Sequence, residues 1–177
     1  MTYTGDVSVG GPADTRELPG LTITKVAVGP MDNNAYLLRC TQTGELALID
    51  AANEANTLLA LIGDTPLATV ITTHQHWDHH AALREVQQAT GAATVAHPDD
   101  APGIPIPVTR PVRHGDTVAV GNAVLSSFTC AATRPAASRC ALTGTELSPT
   151  SLISSPATRS SPAVLATPST TRPVSTR

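Results

Sequence analysis

Four side chains of the types that bind metal ions lie within six consecutive residues. They are His74, His76, Asp78 and His79, and they follow Leu67–Thr72, an apolar run with the length of a buried strand. Because residues two apart in extended backbone point the same way, His74 and His76 can bind one ion. Asp78 and His79, where the chain turns toward a helix, can face a second ion. Imidazole and carboxylate ligands suit Zn²⁺, Fe or Mn.

This spacing predicts a metal site that stays open to water, as catalysis requires and a structural zinc site avoids. The alternative is a surface loop that is rich in histidine by accident. A strand-to-helix junction is a rare place for such an accident, and the position therefore favours metal binding. The three cysteines, Cys40, Cys130 and Cys140, show no CxxC spacing and predict neither a disulfide framework nor a Cys-rich zinc site.

The elements around this segment predict an α/β fold, because strand patterns alternate with helical ones. One helix is expected from an N-cap at Asn53 to a stop at Gly63, and a second from about Ala81 to Ala89. The Pro-rich stretch Pro98–Pro111 is expected to be a loop. The predicted strands are Leu21–Val28, Ala35–Cys40, Glu45–Asp50, Leu67–Thr72, Ala92–Ala96, Thr117–Val120 and Ala123–Leu125.

Composition narrows the class of protein. The length of 177 residues predicts one domain, and the net charge of −3 without a Lys or Arg run argues against a nucleic-acid partner. No apolar stretch approaches the roughly 18 to 20 residues that span a bilayer, and no membrane partner is expected. The first 20 residues lack the hydrophobic core of a secretory signal, so they are expected to form an N-terminal arm of a cytoplasmic protein. Oligomeric state stays open.

The composition changes abruptly near residue 125. Residues 1–125 contain 13 acidic and six basic residues, a net charge of −7, and all six histidines. Residues 126–177 contain 21 Ser or Thr, six Pro and five Arg, but no Asp, Lys or His. Such a composition predicts a tail without a stable fold, so the domain is assigned to residues 21–125.

Residues 21–125 resemble the metallo-β-lactamase superfamily, whose signature is HxHxDH after a strand. The resemblance also rests on Asp-Asn-Asn-Ala-Tyr-Leu-Leu at 32–38, Leu-Ile-Asp at 48–50 and His-Gly-Asp at 114–116. It is closest to the small glyoxalase II-like hydrolases, which cleave thioesters. The resemblance implies an αββα sandwich of two similar halves, of which this chain supplies the first. The sheet would then expose an apolar face that lacks its partner layer.

The resemblance also implies roles for individual residues. His74 and His76 would bind a first metal ion, and Asp78 and His79 a second, with one or two Zn²⁺ ions expected and Fe or Mn possible. A metal-bound hydroxide would attack the carbonyl of a small thioester or ester, and Asp78 would orient this nucleophile. Asp50 would match the acid that holds the ligand loop in place. Its alternative interpretation is an ordinary turn residue at a strand end.

Other interpretations of the sequence remain open. An iron-dependent sulfur dioxygenase would use much the same ligand motif, and a superfamily nuclease is disfavoured by the acidic charge. A non-catalytic remnant with a weak metal site is a third possibility for the chain as written. Trp77 is expected either to wall a substrate pocket or to pack against the next helix, and His97 to be a solvated loop residue.

Three further ligands that the resemblance implies are missing from the tail. They are a histidine in Gly-His-Thr-Pro-Gly, an aspartate in a Gly-Asp-Ser-Leu-Phe-like segment, and a final histidine. Cys130–Ala137 can be encoded so that a one-base shift rereads it as Leu-Arg-Gly-His-Thr-Pro-Gly-Ser. The same shift can reread Ser155–Pro168 as a segment beginning Leu-Ala-Gly-Asp-Ser-Leu-Phe. The hypothesis is a frameshift near Leu125, and its alternative is a genuine disordered tail.

Sequencing the gene across codons 115 to 135 tests this hypothesis. We expect that a one-base change restores the histidine and aspartate motifs in one frame. A sequence that confirms the written frame would contradict the hypothesis, and the enzyme assignment for this polypeptide would then be withdrawn in favour of a weak metal site.

Overall fold

Two β-sheets lie face to face in the computed structural model, which describes residues 3–131 and 138–144, with side chains through residue 127. The larger sheet contains seven strands and the smaller one three. The strands are β1 Asp14–Leu18, β2 Leu21–Val28, β3 Asn33–Cys40, β4 Leu46–Ile49, β5 Leu67–Ile71, β6 Ala93–Ala96, β7 Arg110–Pro111, β8 Thr117–Val120, β9 Ala123–Ala131 and β10 Ser138–Gly144. The helices are α1 Ala55–Ile62 and α2 Leu83–Thr90.

The larger sheet changes from antiparallel to parallel pairing at β4. Strands β1 to β4 pair antiparallel in chain order, and β4 to β7 pair parallel. The parallel order follows from α1 and α2, which cross over between β4 and β5 and between β5 and β6. The carboxyl ends of β4, β5 and β6 therefore meet at one edge of the sheet, where α/β folds bind their ligands.

The two helices cover one face of this sheet. Leu58 of α1 and Leu83 and Val86 of α2 are fully buried in the core on that side. The helix α1 begins at Ala55 after Glu54, so the predicted N-cap at Asn53 is wrong. The Asn53 carboxamide oxygen instead accepts a hydrogen bond from the Glu54 N–H at 2.8 Å. The second helix begins two residues later than predicted.

The opposite face packs against the smaller sheet, which corrects the expectation of a bare apolar face. Val118, Val120 and Leu125 are buried and form one core cluster with the inward side chains of the larger sheet. The cluster is completed by Leu21, Ile23, Tyr36, Leu38, Ala47, Ile49, Ile71, Val95, Val112 and Ala123. The αββ part of the predicted sandwich is thus present within the described residues.

The pairing of β8 and β9 also corrects the predicted start of the tail at residue 126. The Ser127 N–H donates to the Asp116 carbonyl at 2.8 Å, and the Gly115 N–H donates to the Ser127 carbonyl at 2.9 Å. The antiparallel ladder therefore continues past Leu125, and β10 extends the sheet on the far side of β9. The rest of the predicted tail lies outside the described residues.

The expected N-terminal arm contains an edge strand. Strand β1 pairs with β2 throughout its length, and only alternate residues of it are partly covered, which explains its weak hydrophobic signal. The Asp14 carboxylate accepts the N–H groups of Thr4 and Gly5 at 2.9 and 2.7 Å, and the buried Lys25 ammonium donates to the Gly5 carbonyl. No helix in the described part of the chain has the length and apolarity needed to cross a bilayer.

Truncating Val118 tests whether the smaller sheet covers the larger one. Val118→Ala should lower the free energy of unfolding by about 2 kcal/mol, because it removes buried methyl groups and leaves a cavity. Thr117→Ala, at an exposed position of the same strand, should change it by less than about 0.5 kcal/mol. Urea denaturation of both variants measures the difference, and equal effects would show that β8 does not cover the sheet.

Candidate metal centre

The four predicted ligands lie at the carboxyl edge of the larger sheet, directly after β5. A bend carries the chain through His74 and His76, and a short 3₁₀ turn, Trp77–His79, follows. His74 and His79 are buried, Asp78 is half-buried and His76 is exposed. The structure thus brings all four predicted residues together in one turn of chain that reaches from the core to the surface.

Asp50, which follows β4, joins the beginning and the end of this segment. Its Oδ1 accepts the Thr73 N–H at 2.8 Å, and its Oδ2 accepts the Thr73 hydroxyl at 2.7 Å and the His79 Nδ1–H at 2.8 Å. The carboxylate is buried, and the residue has a φ of 56°, a left-handed conformation that Asp tolerates better than most residues. This contact set goes beyond that of an ordinary turn residue.

These hydrogen bonds determine which ring nitrogens of the histidines carry lone pairs. The Thr73 hydroxyl donates to Asp50, so it accepts from His74 Nδ1–H, 3.0 Å away. His79 also donates through Nδ1, and each neutral ring therefore keeps its lone pair on Nε2. The two ring centroids are 4.1 Å apart. Both histidines are thus fixed in the tautomer that binds a metal through Nε2.

The ligand atoms approach one another in two pairs. In the metal-free chain His76 Nδ1–H donates to the lone pair of His74 Nε2 at 3.0 Å, and this separation is close to the roughly 3.3 Å expected for two nitrogen ligands on one tetrahedral Zn²⁺. His79 Nε2 lies 3.8 Å from Asp78 Oδ2. Among the described residues, no group of three or more His, Cys, Asp or Glu side chains converges well enough to hold an ion. The four donors therefore approach one another only in two pairs, called half-sites below, and neither pair alone completes a coordination shell.

The pKa values of the two buried histidines, His74 and His79, shift in opposite directions. Burial, with the charge of His79 as the next cause, lowers the pKa of His74 to about 4, so its ring is neutral at physiological pH. Burial alone would lower the pKa of His79, but the hydrogen bond and charge of Asp50 outweigh it and raise that pKa. Burial alone would likewise raise the pKa of Asp78, but the hydrogen bond from Asn33 and the neighbouring histidines lower it.

Asn33, the first residue of β3, is a contact of the site that sequence reasoning missed. Its Nδ2 donates to the carbonyl oxygen of Asp78 at 2.7 Å and to Asp78 Oδ2 at 2.9 Å. These bonds hold the backbone and the carboxylate of Asp78 together. The segment at 32–38 was noticed in the sequence, but an Asn before a strand gives no sign that it reaches a residue 45 positions away.

The structure distinguishes the two alternatives for Trp77 and corrects the expectation for His97. Trp77 is 63% exposed, so it does not pack against the next helix. It lines a shallow cleft with Met31, Asn33 and Asp78, and Met31 is itself 55% exposed. His97 was expected to be solvated, but it is buried, and its Nδ1 accepts the Asp99 N–H at 3.2 Å.

The fold and the site define a class: two facing sheets with an HxHxDH segment at the carboxyl ends of parallel strands. Residues 28–126 match the family model for the metallo-beta-lactamase superfamily. The chain belongs to this superfamily.

Curated relatives match the same part of the chain. It is 37% identical over 105 residues to the hydroxyacylglutathione hydrolase of Rhodospirillum rubrum, a match that covers 58% of this chain and 40% of that protein. It is 40% identical over 91 residues to the hydroxyacylglutathione hydrolase of Fuscovulum blasticum, covering 51% of this chain and 35% of that protein. The matched stretch therefore spans well under half the length of these relatives.

Solved structures show the same fold. The BLEG-1 B3 metallo-beta-lactamase aligns with a TM-score of 0.60 at 16% identity, covering 68% of this chain and 66% of that one. The protein TTHA1623, crystallised in a di-iron-bound form, aligns with a TM-score of 0.55 at 26% identity, covering 67% of this chain and 65% of that one.

Asp50→Asn tests the electrostatic link between the strand end and the turn. In the metal-free chain we expect His79 to titrate above its ordinary pKa and His74 to stay neutral down to about pH 4. Without the carboxylate, burial dominates, and the pKa of His79 should fall below about 6.5. NMR titration of the imidazole resonances measures both values. An unchanged His79 pKa in Asp50→Asn would contradict this account.

Proposed function

We propose that this chain carries the first half of a metal-dependent hydrolase that cleaves a small thioester, in the manner of the glyoxalase II-like members of its superfamily. The observation that carries the proposal is the pair of half-sites, His74 with His76 and Asp78 with His79, joined through one buried Asp50. The relatives named hydroxyacylglutathione hydrolases support a thioester of glutathione as the substrate class.

Each residue has a role in this proposal. His74 and His76 hold a first ion, Asp78 and His79 a second, and Asp50 keeps the histidine tautomers fixed. A bound divalent ion supplies a water with a pKa lowered to near 7 and polarises the carbonyl of the substrate. Asp78 orients the nucleophile, and Asn33 holds the Asp78 carboxylate in position. A thiolate leaving group needs little protonation, so the mechanism does not require a separate acid.

The two half-sites are incomplete in the written chain. Catalytic zinc commonly has three protein ligands, whereas each half-site here has two. We therefore expect the chain as written to bind metal weakly and to be catalytically poor. A one-base shift near codon 125 would supply a further histidine and a bridging aspartate, and that frame-restored chain would be the active hydrolase.

Zn²⁺ is the expected ion, but the donor set also accepts iron. The structural likeness to a protein in a di-iron-bound form supports iron as an alternative ion. An iron-dependent sulfur dioxygenase, which would use much the same ligand motif with a single Fe, is the second candidate function. Metal analysis together with oxygen uptake separates the two, because hydrolysis consumes water and no oxygen. If the chain is a non-catalytic remnant, neither thioester hydrolysis nor oxygen uptake should be observed.

His76→Ala in the frame-restored chain tests the hydrolase. We expect loss of metal and a fall in kcat/KM larger than the roughly 10- to 100-fold cost of removing an outer-shell partner. Thiol release from a hydroxyacylglutathione thioester measures the rate. The matched control is His114→Ala, at an exposed histidine in the turn before β8, which should keep wild-type activity. Full activity after chelation of all metal would contradict the proposal.

A further inference from the structure

Gln75 lies between two predicted ligands of the first ion, and both of its peptide groups are held by side chains from elsewhere. Its N–H donates to Asp100 Oδ1 at 3.2 Å, and its carbonyl accepts from His80 Nε2 at 3.0 Å. We propose that Asp100 and His80 are positioning residues that keep His74 and His76 directed at one ion. This inference rests on the metal site of the proposed function.

The geometry explains why these two hydrogen bonds matter. The Gln75 N–H belongs to the peptide group that follows His74, and the Gln75 carbonyl belongs to the peptide group that precedes His76. Fixing both peptide planes fixes the backbone rotations between the two histidines, because a peptide unit is planar and only φ and ψ are free. The 3.0 Å approach of His74 Nε2 to His76 Nδ1 depends on those rotations.

The elements that provide the two partners are independent of each other. Asp100 follows β6 and its N–H donates to the His97 carbonyl at 3.0 Å, which anchors it to the end of that strand. His80 ends the 3₁₀ turn, and its N–H donates to the Trp77 carbonyl at 3.3 Å. Gln75 is thus held from the sheet on one side and from its own turn on the other.

The burial of Asp100 supports a specific role. The residue is 1% exposed, and for its Oδ2 the described residues offer no hydrogen-bond partner. A buried carboxylate is costly, and a chain gains little from keeping one unless it binds something in particular. Its neighbour Asp99 has a side chain that is 71% exposed and faces His97, which makes it a matched control.

The turn Ala101–Gly103 adds a steric limit on Gln75. A Cβ at Gly103 would lie 2.7 Å from the Cβ of Gln75 and 2.6 Å from its Oε1. Contacts this short do not occur between well-packed atoms, so the backbone of Gly103 lies directly against the Gln75 side chain. Gln75 is exposed, but its side chain leaves no room for a Cβ at position 103, which explains the glycine there.

The inference is tested by measuring the Zn²⁺ affinity of the full chain in competition with a chromophoric chelator. Asp100→Ala and His80→Ala should each weaken binding about 10- to 100-fold, the usual cost of losing an outer-shell partner. Asp100→Asn should stay within about threefold of wild type, because the amide oxygen still accepts the Gln75 N–H. Asp99→Ala should bind as wild type does. The absorption spectrum of bound Co²⁺ should differ from that of the wild type in the two alanine variants. In Asp100→Asn it should match the wild-type spectrum.

The outcomes separate this inference from the proposed function. A Zn²⁺ affinity of Asp100→Ala equal to that of Asp99→Ala would overturn the positioning role, even if the melting temperature of the metal-free chain falls. His76→Ala should lose binding in either case, and unchanged binding there would overturn the metal site itself together with the inference. If Asp100→Ala does not fold, His80→Ala decides: a tenfold loss supports the inference, and wild-type affinity overturns it.

Discussion

The site depends on one buried carboxylate. Asp50 accepts three hydrogen bonds, two from Thr73 and one from His79, and so joins the residues that begin and end the ligand segment. Burying a carboxylate costs free energy unless hydrogen bonds compensate it, and for Asp50 the bonding partners belong to the ligand segment itself. The same contacts therefore stabilise the strand end and determine the geometry of the ligands. Moving Asp50 would change both at once.

The sheet makes this arrangement possible because it places three strand ends side by side. Strand β4 ends before Asp50, β5 before the ligand segment, and β6 before Asp100. Parallel pairing of these strands brings groups separated by 23 to 29 residues within hydrogen-bond distance of one another. The helices α1 and α2 enforce that pairing through the crossovers and the core on the outer face. The exposed His76 and the cleft beside Trp77 then lie at the edge that faces solvent.

Much of this could be predicted from the sequence, and the exceptions have physical reasons. The apolar runs of β2 to β6 and the HxHxDH spacing are local patterns, so they predicted the strands and the ligand types. Strand β1 was missed because an edge strand covered on one side carries little hydrophobic signal. The contacts of Asn33, His80 and Asp100 were missed because each depends on which strand ends meet, which no local pattern contains. The change in composition at residue 125 predicts the end of the fold there, but the β8 to β9 ladder continues beyond it, because backbone pairing gives no compositional signal.

The two sheets also explain why the ligands come in pairs. All four ligands predicted from the signature lie in the segment that follows β5 of the larger sheet, and their donor atoms approach one another only in pairs. The smaller sheet packs on the inner core that the larger sheet shares with it, and this core includes Ile49 and Ile71, the last residues of β4 and β5 before the site. Catalytic zinc commonly has three protein ligands, so a complete site would need at least one donor from outside this segment. Hydrogen bonds with Asp50, Asp100 and His80 hold the segment that carries all four predicted ligands, so its backbone is fixed by contacts that do not themselves depend on an ion.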